Sequence, residues 1–517
     1  MTFEIVFVLL SLLGMMAALI ADKMRPGMVL FSVVVLFLCV GILTPKEMLE
    51  GFSNKGMITV ALLFLVSEGI RQSGTLGQVI KKLLPQGKTT VFKAQLRILP
   101  SVAFISAFLN NTPVVVIFAP IIKHWAKSVK LPATKFLIPL SYVTILGGIC
   151  TLIGTSTNLV VHGMILEAGY EGFTMFELGK VGIFIAIAGI IYLFIFSKRL
   201  LPDARPDTAV PDEEVEEGEK LHRVEAVLGA RFPGINKKLS DFNFQRHYGA
   251  EVKEIKTRNG QRYVDHLEDV VLREGDTLVV MADDTFIPTW GESSVFVLLT
   301  NGNDPDTSGK KKRWLALILL VLMIVGATVG ELPATKEMFP DIKLDMFFFV
   351  CITTIIMAWT NIFPARKYTK YISWDILITI ACAFAISKAM ENSGFAALIA
   401  RHIIGMSSSM GPYALLAIVF IITNIFTELI TNNAAAALSF PIALSVATQL
   451  GVDPTPFFVV ICMAASASFS TPIGYQTNLI VQGIGSYKFT DFVKIGLPLN
   501  LITFLISVFV IPMIWKF

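Results

Sequence analysis

The sequence predicts an α-helical polytopic membrane protein made of two inverted repeats, with re-entrant helical hairpins, broken helices and a small inserted α+β domain. The 517-residue chain is 54% hydrophobic, with a mean hydropathy of +0.68. These values are typical of a chain that crosses the bilayer many times. Two polar motifs recur in the two apolar halves, and a charged segment separates those halves. The predicted divisions are 1–200, 201–313 and 314–517.

The first repeated motif is an asparagine-rich interruption of an apolar stretch. It reads Ala107-Phe-Leu-Asn-Asn-Thr-Pro113 in the first half and Glu428-Leu-Ile-Thr-Asn-Asn-Ala434 in the second. Amides and hydroxyls at membrane depth are costly unless they line a cavity or bind a ligand. Each interruption therefore predicts the tip of a hairpin that enters and leaves the membrane on one side, over 92–127 and 413–450.

The second repeated motif begins with glycine and continues with hydroxyl and amide residues. Ile153-Gly-Thr-Ser-Thr-Asn-Leu159 corresponds to Ile473-Gly-Tyr-Gln-Thr-Asn-Leu479, 320 positions later. Glycine permits a close approach of the backbone, so each motif predicts a break within a crossing helix. Polar breaks at corresponding places in two halves of a membrane protein indicate a transport site.

The apolar stretches predict five crossings in each half. An odd number turns the second copy upside down, which is the inverted-repeat arrangement of secondary transporters. The predicted crossings are 3–21, 27–43, 56–72, 135–166 and 178–197, then 314–332, 342–363, 370–390, 456–486 and 491–515.

Charged residues between the crossings predict the orientation. Basic residues fall on one side, including Lys198-Arg199 and the run Lys310–Arg313, whereas Glu167, Glu177 and Glu331 fall on the other. The positive-inside rule then places the inserted domain in the cytoplasm and both termini outside. We expect a multi-pass protein of the cell (inner) membrane.

The inserted segment predicts a compact β-rich domain. An acidic run over 212–217 indicates a solvated linker, and 305–309 indicates a loop that returns to the membrane. Between them lie a small helix near 239–248 and alternating apolar residues that predict short strands. The predicted strands are 224–227, 252–255, 270–272 and 278–281.

The tips and breaks suit a site for an anion and a cation. Helix N-termini attract anions through free N–H groups and the helix dipole, whereas carbonyl and hydroxyl oxygens suit a hard cation such as Na⁺. The recurrence argues against mere capping of buried helix ends. The sequence has no strong enzyme signal, and its five cysteines have neither metal-site nor disulfide spacing. The predicted substrate-binding residues are Asn110, Asn111, Thr112, Thr155, Ser156, Thr157, Thr431, Asn432, Asn433, Gln476 and Thr477.

Four other polar residues at membrane depth have alternative roles. Glu68 and Lys388 occupy equivalent repeat positions, and pairing or a place near helix ends is favoured over proton coupling. Glu428 lies four residues before Asn432, so it either holds the hairpin or lies near the cation. A buried structural role is favoured for His162.

At these residues the chain resembles the divalent anion–sodium symporter family of the ion transporter superfamily. The family's hairpin tips are similar to Asn110–Thr112 and Thr431–Asn433 here, and the similarity covers both membrane halves. The resemblance implies two Na⁺ sites flanking one anion, a homodimer, and elevator movement of the hairpin-bearing part past a scaffold. The implied cation-site residues are Ser106, Asn111, Gly154, Thr427, Ile430, Asn432 and Gly474.

The breaks and the inserted domain add two details. Thr155–Asn158 and Tyr475–Asn478 lack the prolines usual in dicarboxylate members, and their extra hydroxyl and amide groups suit an inorganic oxyanion. The segment from Leu239 to Leu278 resembles the C-terminal domain of potassium-conductance regulators (TrkA-C or RCK-C type). That resemblance implies dimer contacts and a small regulatory ligand, with a nucleotide as one candidate.

The leading hypothesis is therefore a Na⁺-coupled importer of a divalent anion, with sulfate favoured and a dicarboxylate next. A cation/proton antiporter of the same superfamily is an alternative that would use Glu68, Lys388 or Glu428. A regulatory channel or sensor is another, although the sequence lacks a selectivity-filter motif. The expected partners are a small anion, the lipid bilayer and a second copy of the chain, without nucleic acid.

Overall fold

The structure is a computed structural model of the chain. It describes the chain in eleven ranges, from the second residue to the last. They are 2–21, 24–85, 87–203, 222–229, 231–257, 261–283, 286–290, 295–300, 310–339, 341–406 and 411–517.

The first half is a series of helices with local start and stop signals. Asn54 caps the fourth helix by accepting a hydrogen bond from the N–H of Gly56 at 2.7 Å, and Thr90 caps the sixth through the N–H of Lys93 at 3.3 Å. The second helix ends at Gly41, whose φ of +81° is readily available to glycine. The helices are α1 (Phe3–Ala21), α2 (Pro26–Val40), α3 (Pro45–Glu50), α4 (Lys55–Gln72), α5 (Thr75–Leu83), α6 (Val91–Ser106), α7 (Asn111–Ser128), α8 (Leu137–Gly148), α9 (Ser156–Glu167) and α10 (Gly179–Leu200).

A small antiparallel sheet with two short helices follows. Its elements are β1 (His222–Leu228), α11 (Phe244–Tyr248), β2 (Glu251–Lys256), β3 (Arg262–Tyr263), β4 (Thr277–Ala282), α12 (Phe286–Trp290) and β5 (Phe296–Thr300), in the sheet order β3-β2-β4-β1-β5. We call residues 222–300 the sheet unit. Buried aromatic residues, among them Phe232, Phe244 and Tyr248, form its core.

The second half repeats the order of the first. Its helices are α13 (Lys310–Gly330), α14 (Pro333–Met338), α15 (Met346–Trp359), α16 (Tyr368–Tyr371), α17 (Trp374–Asn392), α18 (Phe395–Met406), α19 (Gly411–Leu429), α20 (Asn432–Leu450), α21 (Thr455–Ser466), α22 (Gln476–Gly485) and α23 (Phe489–Ile514). The helix pair α6–α7 corresponds to α19–α20, and the interrupted pair α8–α9 corresponds to α21–α22.

The predicted helical membrane fold is confirmed. Within the described ranges, seven helices are long and apolar enough to cross a membrane, or eight if the bent pair 365–371 and 374–392 is one span. The predicted interruptions separate α6 from α7, α8 from α9, α19 from α20 and α21 from α22.

One predicted strand is wrong. Residues 270–272 form only a single bridge, between Val271 and Lys238, because the chain turns there into the tight turn at Gly275 before β4. The predicted linker at 212–217 and the loop at 305–309 lie outside the described residues. The division at 200 and 313 stays a prediction.

The sheet unit packs against one end of the helices. The Lys123 ammonium on α7 lies 2.9 Å from the Glu225 carboxylate on β1. Burial alone would raise the pKa of Glu225, but Lys123, Lys256 and Arg223 outweigh burial and lower that pKa to about 2. The carboxylate is therefore ionised throughout the physiological range. A Cβ atom at Gly275 would lie 3.6 Å from the Leu479 side chain, and one at Gly483 would lie 2.5 Å from Thr277 Oγ1, which places α22 beside the sheet unit as well.

Acidic residues gather at the opposite end. The Glu331 carboxylate accepts the N–H of Met175 at 3.0 Å, and the Glu177 carboxylate accepts the indole N–H of Trp515 at 3.3 Å. Lys55 forms an ion pair with Asp345 there. The two chemically different ends match the two groups of charged loops that the sequence predicts.

Two close helix contacts depend on glycine. A Cβ atom at Gly147 of α8 would lie 2.0 Å from the Ala103 carbonyl oxygen of α6, and one at Gly496 of α23 would lie 2.0 Å from the Phe469 carbonyl oxygen. The backbone at Ala103 and Phe469 cannot move aside as the end of a flexible side chain can. The first contact fixes the hairpin helix α6 against the broken helix.

We predict that Gly147→Ala lowers the thermal stability of the purified protein. Overpacking of a tight helix contact costs about 1–3 kcal/mol. Gly14→Ala on α1 is the matched control, because no atom lies within 4 Å of the Cβ that it would add. Thermal unfolding in detergent measures both variants, and equal midpoints for them would contradict this packing account.

Candidate functional site

Four helices begin at the polar motifs. Each hairpin contributes the start of its second helix, α7 at Asn111 and α20 at Asn432, and each broken helix contributes the start of its second part, α9 at Ser156 and α22 at Gln476. The N-cap side chains form no capping hydrogen bond to the backbone of these helices. Those N-cap residues are Asn110, Thr155, Thr431 and Tyr475.

The tip of the first hairpin contacts the break of the second repeat. The Asn111 amide lies 2.6 Å from the Tyr475 hydroxyl, and Thr112 Oγ1 donates to Gln476 Oε1 at 3.5 Å. These contacts bring the N-terminus of α7 next to that of α22.

The tip of the second hairpin contacts the break of the first repeat in the same way. The hydroxyls of Ser156 and Thr157 donate to Asn433 Oδ1 at 3.2 and 3.3 Å. The Tyr475 hydroxyl also lies 3.3 Å from Thr155 Oγ1, which joins the two tip–break pairs. All four helix N-termini therefore meet in one region.

This region is polar without being charged. The stretches 109–113, 153–158, 429–433 and 473–478 contain no charged residue. Each helix N-terminus carries a partial positive charge of roughly half an elementary charge, together with unpaired N–H groups. The arrangement therefore suits an anion, and its field comes from the backbone rather than from lysine or arginine.

An oxygen-rich cluster surrounds Asn111 behind the first tip. In one orientation of the amide, Oδ1 accepts from the Ser106 hydroxyl at 2.8 Å. In the other, the amide nitrogen donates to the carbonyl oxygens of Thr144 and Gly154 at 3.0 and 3.3 Å. In either orientation, the same position of the amide group lies beside the carbonyl oxygens of Thr144 and Gly154 and the Ser106 hydroxyl, and it is occupied by oxygen in the first orientation and by nitrogen in the second. When oxygen occupies this position, four oxygen atoms converge, as a Na⁺ site formed by an unwound helix requires.

A second cluster lies at the corresponding place behind the other tip. Thr427 Oγ1 lies 2.7 Å from Asn432 Oδ1 and 2.5 Å from the Ala465 carbonyl oxygen. The Ser468 hydroxyl lies 3.4 Å from the Thr427 carbonyl oxygen. Among the described residues, the Asn432 amide nitrogen and the Thr431 hydroxyl are buried without a hydrogen-bond partner. Buried polar atoms of this kind indicate a missing ligand or a rearrangement on binding.

The two glycines of the breaks keep these clusters open. A Cβ atom at Gly154 would lie 2.5 Å from the Gly148 carbonyl oxygen. One at Gly474 would lie 2.1 Å from the Ser468 hydroxyl oxygen and 2.5 Å from the Thr427 carbonyl oxygen. Any larger residue would fill the space between the oxygen atoms.

Two asparagines hold the breaks in the same manner. The Asn158 amide donates to the carbonyl oxygens of Thr151 and Gly148 at 2.9 and 3.4 Å. The Asn478 amide donates to those of Ser468 and Thr471 at 2.8 and 3.1 Å. Each amide therefore satisfies carbonyl groups that the interrupted helix leaves unpaired.

Among the other polar residues at membrane depth, Glu68, Lys388 and Glu428 have local partners, whereas the buried Nδ1 of His162 has no hydrogen-bond partner among the described residues. Glu68 pairs with Arg71 at 2.6 Å and Lys388 pairs with Glu391 at 3.3 Å, so they do not pair with each other. The Glu428 carboxylate accepts backbone N–H groups from the second break. His162 is partly buried against Gly172, away from both hairpin tips.

Most of the predicted substrate-binding residues lie at the meeting point. Thr477 differs, and so does Ile430, which was predicted as a cation-site residue. Thr477 faces α8, where the Ser141 hydroxyl donates to its Oγ1 at 2.9 Å, rather than a hairpin tip. Ile430 has an apolar, buried side chain, so only its backbone could bind a cation. No role for Tyr475 is predicted from the sequence. Its position in the repeated motif, equivalent to that of Thr155, could have indicated that it lies at the site.

A family model for citrate transporters matches residues 16–351 and 339–517, which together cover nearly the whole chain. The chain belongs to the citrate transporter family. Membership in a transporter family confirms the predicted resemblance to the divalent anion–sodium symporters and the prediction that the protein is not an enzyme. The likeness of the sheet unit to TrkA-C domains stays a prediction.

Several curated relatives are similar over much of the chain. An uncharacterized transporter of Synechocystis is 30% identical over 93% of this chain and 92% of its own length. An uncharacterized transporter of Escherichia coli is 26% identical over 99% of this chain and all of its own length. Sodium/sulfate cotransporter 2 of Chlamydomonas reinhardtii is 30% identical over 56% of this chain, which is 32% of that longer protein.

We predict that Asn158→Ala and Asn478→Ala each destabilise the protein by about 1–3 kcal/mol. Each substitution leaves two buried carbonyl groups without a donor. Asn110→Ala is the control, since that side chain caps no helix. Thermal unfolding without added substrate measures the effect, and midpoints equal to that of the control would show that the amides do not hold the breaks.

Proposed function

We propose that the protein is a Na⁺-coupled importer of a divalent anion, with sulfate as the favoured substrate. The observation that carries the proposal is the meeting of four helix N-termini between two oxygen-rich clusters. The named function of the Chlamydomonas relative, sodium/sulfate cotransport, supports the same substrate class.

The anion would bind where the tips and breaks meet. Backbone N–H groups and the hydroxyls of Thr112, Ser156 and Thr431 supply donors, and an oxyanion supplies acceptors on all sides. Two elementary charges on the substrate exceed what uncharged side chains balance in a region of low dielectric constant. Cations bound beside the anion would supply the remaining positive charge.

The cations would bind in the two clusters behind the tips. Ser106 and Asn111 supply side-chain oxygens to the first, and Thr427 and Asn432 supply them to the second, with backbone carbonyl oxygens completing both. Oxygen-rich clusters without a fixed charge suit a monovalent cation. Because each Asn belongs to a tip as well as to a cluster, cation and anion binding are coupled through the same residues.

A compact anion fits the site better than a long one. The phenol of Tyr475 lies between Asn111 and Thr155, with its hydroxyl in contact with both. This aromatic side chain occupies space that an extended dicarboxylate would need. Sulfate is therefore favoured, and a dicarboxylate such as succinate is the second candidate.

Elevator movement would carry the site across the membrane. Asn110 and Ser156 border a small cavity whose opposite wall is formed by α4 and α13, mainly by apolar residues such as Val60, Val66 and Leu320, with Ser67 as a polar member. A wall that is mainly apolar would let the hairpin-bearing helices slide. The homodimer, the cytoplasmic position of the sheet unit, the outside termini and a regulatory nucleotide belong to this proposal as expectations from the family resemblance.

Proton-coupled antiport is disfavoured by two of the three charged residues that it would use. Glu68 and Lys388 each have an opposite charge three residues away on the same helix. These local ion pairs give both residues a structural role.

We predict that Asn111→Ala and Asn432→Ala each abolish Na⁺-driven sulfate uptake while the protein stays folded. Each substitution removes one oxygen ligand and one tip donor. Uptake of radiolabelled sulfate into proteoliposomes measures the loss, with Glu391→Gln as a control outside both clusters. Full Na⁺-dependent uptake by either asparagine variant would contradict the site assignment.

We also predict that Tyr475 sets the size of the accepted anion. Tyr475→Ala should weaken sulfate uptake and increase competition by succinate, because the space taken by the phenol becomes free. Tyr475→Phe keeps the ring and loses the contacts to Asn111 and Thr155, so it should weaken sulfate uptake without admitting succinate. Competition assays measure both effects. Unchanged selectivity of the Ala variant would exclude Tyr475 as the size filter.

A further inference from the structure

The two repeats differ in charge at one position beside the clusters. Glu428 precedes the second tip, and the residue at its place in the first repeat is Ala107. The surrounding hydrogen bonds are otherwise equivalent. Thr151 Oγ1 donates to the Ala107 carbonyl oxygen, and Thr471 Oγ1 donates to the Glu428 carbonyl oxygen. The two repeats are therefore similar here, but only the second has a carboxylate before its hairpin tip.

The Glu428 carboxylate is held by three donors. Oε1 accepts the N–H of Ser470 at 2.8 Å and the amide of Asn500 at 2.7 Å, and Oε2 accepts the N–H of Thr471 at 2.8 Å. Both oxygens act only as acceptors, which is the pattern of an ionised carboxylate. Hydrogen bonds from two backbone N–H groups and an amide stabilise this charged form.

Among the described residues, no cation compensates this charge. Within the described ranges, no Lys, Arg or His side chain forms an ion pair with Glu428. A partly buried carboxylate without an opposite charge raises the energy of the protein. A metal cation bound nearby would offset that cost.

The second cluster is the nearest set of cation ligands along the chain. Thr427, whose hydroxyl belongs to the cluster, is the residue next to Glu428. Thr471 connects the two, since its N–H donates to the Glu428 carboxylate and its Oγ1 accepts the N–H of Gly474 at 3.3 Å. The carboxylate therefore acts on this cluster both through its charge and through the position of the break.

We propose that Glu428 is a positioning residue whose negative charge makes the second cluster the tighter of two unequal Na⁺ sites. The inference rests on the proposed function and goes beyond it. The first cluster, with Ala107 at the equivalent place, binds Na⁺ more weakly. Na⁺ then fills the second site first and orders the Asn432 tip before the anion arrives.

The test is equilibrium binding of ²²Na⁺ to the purified full-length protein, without substrate. Three variants are compared with the wild type: Glu428→Gln removes the charge with little change of shape, Glu428→Asp keeps the charge, and Glu391→Gln is a control at an ion pair elsewhere. Thermal unfolding verifies that each protein is folded.

We expect two classes of Na⁺ site in the wild type and in Glu391→Gln. Glu428→Gln should weaken the tight class at least about tenfold, because the carboxylate is hydrogen-bonded to Thr471 beside the cluster and its charge acts in a low dielectric, and should leave the weak class unchanged. Glu428→Asp should retain most of the tight binding.

Wild-type affinity in a folded Gln variant, or equal losses of affinity in the Gln and Asp variants, would overturn the inference. If the Gln variant does not fold, the Asp variant decides alone, and loss of its tight class overturns the inference. Absence of Na⁺ binding in the wild type would instead overturn the proposed function.

Discussion

Interrupting a helix inside a membrane leaves backbone N–H and C=O groups without their usual partners, at a cost of several kcal/mol for each group. In the described part of the chain, the interruptions at two hairpin tips and two breaks meet in one region. The architecture of the protein follows from the need to give those N–H and C=O groups hydrogen-bond partners. Asn158 and Asn478 pair with the freed carbonyl groups of the breaks, and Glu428 pairs with freed N–H groups. The N–H groups at four helix starts lie at the proposed binding site, and so do two buried atoms without a hydrogen-bond partner among the described residues, the Asn432 amide nitrogen and the Thr431 hydroxyl.

The repeat explains why the proposed anion site would lie between two proposed cation clusters. Each tip contacts the break of the opposite repeat, through Asn111 and Tyr475 on one side and through Asn433 and Ser156 on the other. The clusters lie behind the tips, within each repeat, and are therefore duplicated. The region between the tips is shared and is therefore single. Under the proposed function, coupled transport follows from this geometry, since cations and anion would fix the same hairpin tips from two sides.

Much of this arrangement could be predicted from the sequence, because interruptions in apolar stretches are visible as asparagine, glycine and threonine. The hairpin tips at Asn111 and Asn432 and the breaks after Gly154 and Gly474 lie where the repeated motifs predict them. The contacts between repeats could not be predicted, because residues 364 positions apart have no local pattern. The sequence indicated Tyr475 only as a departure from a family motif, whereas its hydroxyl bridges Asn111 and Thr155. Similarly, residues 270–272 alternate like a strand but follow the turn that their surroundings require.

The central claim is that Na⁺ and a divalent anion bind this region together. Uptake of radiolabelled sulfate into proteoliposomes containing the wild-type protein tests it most directly, with and without an inward Na⁺ gradient. The account predicts that sulfate accumulates above its external concentration only when the gradient is present, and that unlabelled sulfate competes. Uptake that is equal with and without Na⁺, or that follows a proton gradient instead, would contradict it.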